Sequence, residues 1–534
     1  MTRKPAVAAD TRSSSRMRSP VRLLALSAAI SLALLGGAAH ADPNPFARRG
    51  VDPAAQAVRS AQQQGLQSVR AQQMAQRSLA AFGQAAQVRS ALDAAQVAAR
   101  LAAASSAVAN QVPNGLGEGG LKIAAGVKFE PGTVGADDPR LSQSKLWLGA
   151  KGPSQSGDSA GNTTVTIEQT QKKAILSWET FNVGKQTTVY FDQRGGNQAG
   201  GGNDWIALNR IDDPSGRPSQ IFGRIKAEGS VYLLNRNGVL FGGTSQVNTR
   251  SLLASSLNLF SNDIARSNKT FISGGIGRGN QSDFVLTSAA VEAAGGTKPQ
   301  LAGDIRIDAG AQIKTGAGGY ALIAAPNIVN AGSVQAEDGQ AQLAAVLGAR
   351  YGDPKVTAEN RVSLSFGLIG ANLGREAPDE LGYGTLSNTG IVSSKRGDVT
   401  LTGYDIAQNG YVGTTTGVSR PGTLSILAIE YARSSDSEPF PQSKGGRLSF
   451  GKTSATTILP EHDGETTTSA KSADLAFQPP SARLAAAQIF FQENSLVLMP
   501  GAKLDVFGLD AMGFIGSGAR GPSRILIDRG ATLN

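Results

Sequence analysis

The sequence predicts an all-β solenoid that follows a signal peptide and a helical leader. From about residue 115, short runs rich in Val, Ile, Leu and Thr alternate with Gly, Asn, Asp and Ser, as in TTVTIEQ (163–169) and GSVYLLN (229–235). Gly is abundant, with 66 residues among 534, and two short patterns recur between the strands. Because one short coil cannot bury its apolar side chains alone, such repeats favour a stack of coils.

The first 41 residues have the three parts of a signal peptide. A basic region ends at Arg22, an apolar run covers 23–37, and Ala39-His40-Ala41 matches an A-x-A cleavage site. The alternative is a membrane-spanning helix, but the apolar run is shorter than the roughly 20 residues that a span needs. We therefore predict cleavage between Ala41 and Asp42.

Charge and cysteine content fit an exported chain. Six basic residues and one acidic residue lie within 1–41, so this segment carries half of the formal net charge of +10. The remaining charge gives little reason to expect nucleic acid as a partner. The sequence contains no Cys, which is compatible with an oxidising compartment.

Residues 42–114 are predicted to form an Ala/Gln/Arg-rich helical leader. The stretch 52–112 lacks Lys and Glu, and its larger apolar residues have irregular, roughly helical spacing. Those residues are Val58, Leu66, Val69, Leu79, Phe82, Val88, Leu92, Val97 and Leu101. We expect one or two helices, ended by Pro113. The leader either is a membrane- or partner-binding helix or is a solvated helical leader before the main fold; the second interpretation is preferred.

Two repeated patterns mark the corners of the solenoid. Residues 305–313, 496–504 and 525–533 share an apolar-x-apolar strand followed by Gly-Ala or its equivalent, and Asn-x-Gly occurs at 330–332 and 388–390 and less fully near Asn409. Gly accepts a positive φ at a corner, and Asn side chains at one corner can stack as a ladder. The competing fold is a β-sandwich. With about 20 residues per coil, 115–534 would form roughly 20 coils and about 100 Å of rod.

The two ends of the repeat region differ. Residues 116–160 are less repetitive, and we expect them to cap the exposed strand edges of the first coil. The sequence stops at Asn534 directly after a repeat, which suggests a truncated protein.

The region 172–258 contains five ordered motifs that resemble the two-partner secretion domain of filamentous haemagglutinin-type exoproteins. These are WETFNVG (178–184), VYF (189–191), ALNRI (207–211), PSQIFG (218–223) and VYLLNRNGVLFG (231–242). The family has Asn-Pro-Asn-Gly where this sequence has Asn235-Arg236-Asn237-Gly238. The resemblance covers about 115–345, which we take as the secretion domain, whereas 346–534 resembles the following repeat region loosely.

The resemblance implies a right-handed parallel β-helix. It also implies export by the general secretory machinery and recognition in the periplasm of a Gram-negative bacterium by an outer-membrane β-barrel transporter with periplasmic domains. The mature chain would be secreted or held at the cell surface. Its expected role is adhesion or haemagglutination through host-cell or bacterial surface glycans or proteins.

The secretion motifs supply the candidate site residues Asn182, Asn209, Asn235, Asn237 and Gly238. One interpretation places them on the surface that the transporter recognises. The other gives them a purely structural role as a β-turn at a coil corner. The Asn237-Gly238 pair suits a tight turn because both residue types tolerate positive φ.

Residues for catalysis are scarce. The only His residues are His40, within the signal peptide, and His462, in an acidic loop, so a Ser-His-Asp triad or a zinc site is not expected. We predict no enzyme activity, cofactor or metal. Two alternatives stay open: a polysaccharide-acting enzyme on a β-helix scaffold, and the stalk of a contact-dependent toxin whose C-terminal effector is absent from this chain.

Overall fold

A computed structural model of the chain describes most of the region after the predicted signal peptide. The described residues are 53–108, 111–197, 203–259, 264–273, 284–287, 302–352, 363–367, 384–417, 421–429, 431–432, 445–461, 479–509 and 523–533. The chain divides into two compact units, 1–70 and 71–534. The predicted cleavage residues Ala39, Ala41 and Asp42, and also His462, lie outside the described residues.

A single long helix, α1, covers Pro53–Ala104. It continues through Gly65 and Gly83 and ends well before Pro113, so it is one helix and shorter at its C-terminus than expected. Ala and Gln supply most of its length, and both favour helices.

Four short strands cap the β-region. They are β1 (Leu121–Ile123), β2 (Phe129–Glu130), β3 (Trp147–Leu148) and β4 (Ser154–Gly157). Strands β1 and β3 pair antiparallel with β6 (Lys173–Phe181), and β4 pairs antiparallel with β5 (Thr163–Glu168). This pairing confirms the predicted cap, because it covers strand edges that would otherwise be open.

The remaining strands wind through successive coils and leave them at insertions. The first coils contain β5 and β6, β7 (Thr187–Asp192), β8 (Ile206–Ile211), β9 (Ser219–Ile221), β10 (Arg224–Ala227), β11 (Ser230–Asn235), β12 (Val239–Phe241), β13 (Gln246–Thr249) and β14 (Ser251–Ser255). An insertion then contains β15 (Asn258–Leu259), α2 (Ile264–Ser273) and β16 (Phe284–Thr287). The coils resume with β17 (Ile305–Ile307), β18 (Gln312–Thr315), β19 (Tyr320–Ala325), β20 (Ile328–Asn330), β21 (Ser333–Glu337) and β22 (Gln340–Ala345).

The second half follows the same plan. A second insertion contains β23 (Gly348–Gly352) and β24 (Ser363–Gly367). Further coils contain β25 (Thr385–Asn388), β26 (Ile391–Lys395), β27 (Asp398–Gly403), β28 (Asp405–Gln408), β29 (Tyr411–Thr416) and β30 (Thr423–Ala428), followed by β31 (Tyr431–Ala432) outside the coils. The last strands are β32 (Arg447–Phe450), β33 (Ala455–Pro460), β34 (Ser481–Ala486), β35 (Gln488–Phe491), β36 (Leu496–Leu498), β37 (Lys503–Gly508), β38 (Arg524–Ile527) and β39 (Thr532–Leu533).

Three sheets form the faces of a parallel β-helix. The first face runs β6-β8-β11-β14-β19-β22-β27-β30-β34-β37, the second β5-β7-β10-β13-β18-β21-β26-β29-β33-β36-β39, and the third β9-β12-β17-β20-β25-β28-β32-β35-β38. Each coil passes from the first face to the third and then to the second. Neighbouring strands within each face are parallel, as between β11 and β14. The predicted parallel β-helix is confirmed, and the β-sandwich alternative is wrong.

Coil length depends on whether the chain leaves the β-helix at an insertion. Val231 pairs with Ala207 in the preceding coil and with Leu252 in the following coil, and both of these coils are short. Leu252, however, pairs with Ala321, because the first insertion lies between them in the sequence. The described part of the first face therefore has ten strands from β6 to β37, not roughly 20 coils, and spans about 45 Å at the usual strand spacing.

The interior is filled by side chains that alternate along each strand. Ile175, Leu208 and other outward residues of the first face form a separate apolar cluster, while Leu176, Ala207 and Ile211 belong to the central core. At the capped end, Trp147 packs edge-on against Trp178, whose ring lies 5.2 Å from that of Phe181. These rings close the first coil with large apolar groups.

A buried amide ladder follows the corner between the third and second faces. Nδ2 of Asn330 donates to Oδ1 of Asn388 at 2.8 Å, and Nδ2 of Asn388 donates to Oε1 of Gln408 at 2.6 Å. All three side chains are fully buried. The predicted Asn ladder is thus confirmed for two positions, but its third member is Gln408, because Asn409 is exposed.

The insertions build an outer layer against the first face. Strands β15, β16, β23, β24 and β31 form an antiparallel sheet, and Phe271 of α2 packs against the buried Tyr232. Nζ of Lys173 donates to the carbonyls of Phe271 at 2.8 Å and Ile272 at 3.1 Å, near the C-terminus of α2. Burial lowers the pKa of Lys173 to about 8.

Within the unit 71–534, α1 packs on the second face. Ala81 and Ala85 are buried there together with Ile391, Tyr411 and Leu496. On the opposite side of the helix Leu79, Val97 and Leu101 are exposed, which accounts for the irregular apolar spacing in the sequence. Residues 71–104 are thus solvated on one side only, and the preferred interpretation of a solvated leader does not hold for the side that packs on the second face.

Candidate functional site

The candidate residues Asn235, Asn237 and Gly238 form a tight turn at the corner between the first and third faces. The Gly238 amide donates to the carbonyl of Asn235 at 2.9 Å, closing the turn from β11 to β12. The Asn237 amide donates to Oδ1 of Asn235 at 2.9 Å. Asn at the first turn position and Gly at the fourth match the common β-turn preferences.

The coils on both sides hold this turn in place. Nδ2 of Asn237 donates to the carbonyl of Asp213 at 2.9 Å in the preceding coil. The Gly303 amide donates to the carbonyl of Arg236 at 2.7 Å from the following coil. The corner is therefore rigid without the Pro that the family has at position 236.

Gly238 is the residue of the turn that needs positive φ. Its φ is +99°, and a Cβ there would overlap the carbonyl oxygen of Asp304. Asn237 does not adopt positive φ, so of the two residue types that tolerate it only Gly238 uses this freedom here. A side chain at position 238 would strain the backbone and separate two coils.

Asn209 and Asn235 lie inside the fold. Oδ1 of Asn209 accepts from Nε1 of Trp178 at 2.9 Å, and its Nδ2 donates to the carbonyl of Tyr232 at 3.1 Å. Nδ2 of Asn235 donates to Oγ of Ser219 at 2.9 Å. Both Asn side chains are at most 1% exposed, so neither contributes to the surface of the folded domain.

Asn182 joins the cap to the same corner two coils earlier. Its Nδ2 donates to the carbonyl of Gly119 at 3.1 Å, and its Oδ1 accepts from the Gln220 amide at 2.8 Å. Four of the five candidates thus lie on one edge of the β-helix, and Asn209 lies within the first face.

A cavity of about 270 Å³ lies beside this edge. It is lined in part by Lys145, Trp178, Glu179, Arg210, Asp212 and Arg236. Nη1 of Arg210 is buried without a hydrogen-bond partner, while Glu179 is paired with Lys122 at 2.6 Å. Burial lowers the pKa of Arg210 to about 10, so the guanidinium remains charged at neutral pH.

Lys145 and Arg210 were not among the candidates from sequence. Arg210 could have been found, because it follows the buried Asn209 within a strand and must therefore point outward. Lys145 comes from the cap, and no sequence pattern connects it to this edge.

The described residues offer neither a metal cluster nor a membrane-spanning helix. No group of three or more His, Cys, Asp or Glu that could hold a metal ion is found there. None of the helices in this part of the chain has the length and apolar character needed to cross a bilayer.

Fold and edge together define a capped parallel β-helix. Residues 149–401 match the family model of the TPS secretion domain. This match supports a two-partner secretion exoprotein, in agreement with the resemblance to filamentous haemagglutinin-type sequences. The matched range begins later and ends later than the predicted 115–345.

Individual proteins are similar to this chain over a short stretch of sequence or, for a solved structure, at low sequence identity. Two heme/hemopexin-binding proteins of Haemophilus influenzae are 35% and 33% identical over 95 residues, which is 18% of this chain. The alignments cover only 9% and 10% of those proteins, so this chain matches about a tenth of their length. The crystal structure of the HMW1 secretion domain from Haemophilus influenzae aligns with 72% of this chain and 81% of its own, at a TM-score of 0.47 and 17% identity.

The match to the TPS secretion domain bears on the partner, the export route and the chemistry of this domain. A TPS secretion domain implies an outer-membrane transporter of the same system as its partner. Exoproteins of this type are secreted through the periplasm by Gram-negative bacteria. Their shared domain serves secretion and is not an enzyme domain.

Proposed function

We propose that the edge around Arg236 is part of the surface that the periplasmic domains of the transporter recognise. The observation that carries the proposal is an exposed Arg236 side chain on a turn fixed by both neighbouring coils. Because the turn beneath Arg236 is already rigid, little conformational entropy of the backbone is lost when a partner binds there.

The other candidates support this surface in different ways. Asn237 and Asn182 are half-buried and fix the turn and the cap, respectively. Asn209 and Asn235 act from inside, by holding the strands that lead to the edge. The two interpretations of these residues are therefore combined: most are structural, and the contact itself falls to Arg236 and the adjoining cavity.

The test compares Arg236→Glu with Lys226→Glu, a matched charge reversal at an exposed position on the second face. Arg236→Glu should weaken binding of the folded chain to the purified periplasmic domains by about tenfold and lower secretion into the medium, because reversal of a rim charge slows association. Lys226→Glu should leave both unchanged. Binding is measured by surface plasmon resonance, with circular dichroism as the folding control.

Comparison of Asn237→Val with Arg236→Glu distinguishes a role of the turn in recognition from a role in folding. This change removes the bond to the Asp213 carbonyl and should lower both the thermal midpoint and secretion. If Arg236→Glu binds as the wild type does, and Asn237→Val loses binding only to the extent that it unfolds, the corner has a structural role alone.

We further propose that the mature chain is displayed at the cell surface and acts as an adhesin toward glycans or proteins of host or bacterial cells. The support is the resemblance to haemagglutinin-type exoproteins. Binding of heme or hemopexin is not carried over, because the aligned 95 residues are about a tenth of the proteins that bear that name. Loss of cell adherence on deletion of this chain, restored by the intact chain, is the expected result.

A further inference from the structure

The helix residues 71–104 lie along the β-helix in a direction opposite to the order of the coils. Near the C-terminus of α1, Nζ of Lys185 donates to the carbonyl of Ala104 at 2.8 Å, beside the earliest coils. Ala81 and Ala85, which come several turns earlier in the helix, belong to the cluster that contains Leu496 and Leu498 of β36. One helix therefore contacts both early and late coils, whose residues are far apart in the sequence.

Hydrogen bonds from Gln96 and Arg100 hold the helix at the middle coils. The carbonyl of Gly310 accepts from Nε and Nη2 of Arg100 at 2.9 and 2.8 Å, and the Gly310 amide donates to Oε1 of Gln96 at 2.7 Å. Nε2 of Gln96 donates in turn to the carbonyl of Ala331 at 2.7 Å. The helix thus satisfies backbone groups at corners of two successive coils.

Two glycines make room for this approach. A Cβ on Gly310 would lie 2.7 Å from the backbone nitrogen of Arg100, and Gly310 has a φ of +95°. A Cβ on Gly243 would lie 2.7 Å from Cβ of Ala103. Gly310 belongs to the repeated Gly-Ala corner, so this corner serves helix docking as well as coil stacking.

The contact with the late coils is apolar and close. Ala81 and Ala85 are 4% and 1% exposed, and the guanidinium of Arg89 lies 4.9 Å from the ring centre of Tyr411. Small side chains let the helix approach the strands closely, and the stacked Arg adds a cation–π contact. The outward residues Leu496 and Leu498 are buried beneath the helix.

We propose that the second face is a binding surface for this chain's own leader, and that residues 71–104 dock fully only after the coils up to β36 have formed. Until β36 has formed, Ala81 and Ala85 lack Leu496 and Leu498, two members of the cluster in which they are buried. Docking therefore distinguishes a finished β-helix from a partly folded one, and it ties the late coils to the early ones. This inference does not depend on the Arg236 edge, so either can fail without the other.

The first test is tryptic cleavage of the full chain at Arg89 in two neighbouring helix variants. Ala85→Glu places a charge in the buried contact, whereas Ala86→Glu makes the same change at an exposed position. Because burying an unpaired charge is strongly unfavourable and cleavage follows the open population, Ala85→Glu should be cut at least about tenfold faster. Ala86→Glu should match the wild type. Equal rates at Arg89 in the two variants would show that the helix is not docked.

The second test asks whether the late coils hold the helix. Leu498→Glu changes an outward residue of the second face, and Phe490→Glu changes a half-buried outward residue of the third face in the same coil. Leu498→Glu should expose Arg89 to trypsin, although the two residues are far apart in the sequence, and Phe490→Glu should not. If Ala85→Glu exposes Arg89 but Leu498→Glu does not, the helix docks without the late coils and the proposal is wrong.

Discussion

At the scale of single residues, the amide ladder shows how the inward side chains at one position of successive coils, which form a column, can change from apolar to polar. Ile307 precedes Asn330 in this column, and Phe450 follows Gln408. The two ends of the column are apolar and its middle is polar. Each of these amides donates to a group in the next coil, Asn330 to Asn388, Asn388 to Gln408 and Gln408 to the Ala455 carbonyl, which compensates for burying them.

Asn388→Ala should destabilise the β-helix because it breaks both bonds in the middle of the ladder. Nδ2 of Asn330 and Oε1 of Gln408 each lose a buried partner, at about 1–3 kcal/mol per group. Asn409→Ala, at an exposed position nearby, should change stability by no more than about 0.5 kcal/mol. Urea unfolding followed by circular dichroism measures both, and equal midpoints would show that the ladder contributes little.

The ladder also shows how far sequence alone leads at this scale. Asn-x-Gly predicted Asn330 and Asn388 as stacked corner residues, because the pattern repeats at the same distance from a strand. At the third coil the register is kept, but the pattern reads Gln408-Asn409-Gly410, so Gln408 takes the ladder position and Asn409 takes the place of the variable residue. Likewise the motif predicted Asn235 and Gly238 at a corner, but Arg210 and Lys145 meet beside it only because the cap folds against the first face.

At the scale of elements, one corner serves as the exit point for most insertions. The chain leaves between the first and third faces at 256–304, 346–384, 429–446 and again at 509–523. Insertions at one corner of successive coils lie above one another, so their strands can pair into the outer sheet. The sequence predicted the coils but not this layer, because its strands pair between different insertions, as β16 and β23 do.

The contact of Lys173 with α2 should make stability depend on alkaline pH. The pKa of Lys173 falls from its usual 10.5 to about 8 on folding, so between these values the unfolded chain binds more protons. Stability contributed by this group therefore rises with pH across that window, by at most about 3 kcal/mol. Lys173→Met removes the effect. The urea midpoint of the wild type, relative to that of Lys173→Met, should increase from pH 8 to 10.5, and parallel pH profiles would contradict the assignment.

At the scale of the whole molecule, the β-helix is a linear stack in which each coil depends on its neighbours. A column of glycines follows the corner between the second and first faces, through Gly319, Gly339 and Gly397. A Cβ on Gly339 would overlap the carbonyl of Gly319, and a Cβ on Gly397 would overlap that of Gly339. The backbones of successive coils therefore touch directly at this corner, and each glycine couples two coils.

Gly339→Val should break the backbone contact between two neighbouring coils. The coils on the two sides of the break should then differ in stability. The coils before the substitution keep the cap at their N-terminal end, whereas the coils from β22 onward lose close contact with a folded neighbour. Overpacking of this kind costs about 1–3 kcal/mol or more, and in a linear stack the cost falls on the adjoining interface.

Native-state hydrogen exchange should show protection retained in β5–β19 and reduced from β22 to β37. Gly132→Val, at an exposed cap position with no atom within 4 Å of the new Cβ, should leave the profile unchanged. Uniform loss of protection in Gly339→Val would instead mean that the β-helix unfolds as a single unit, and that the docked leader and the interior couple the coils more strongly than the corner does.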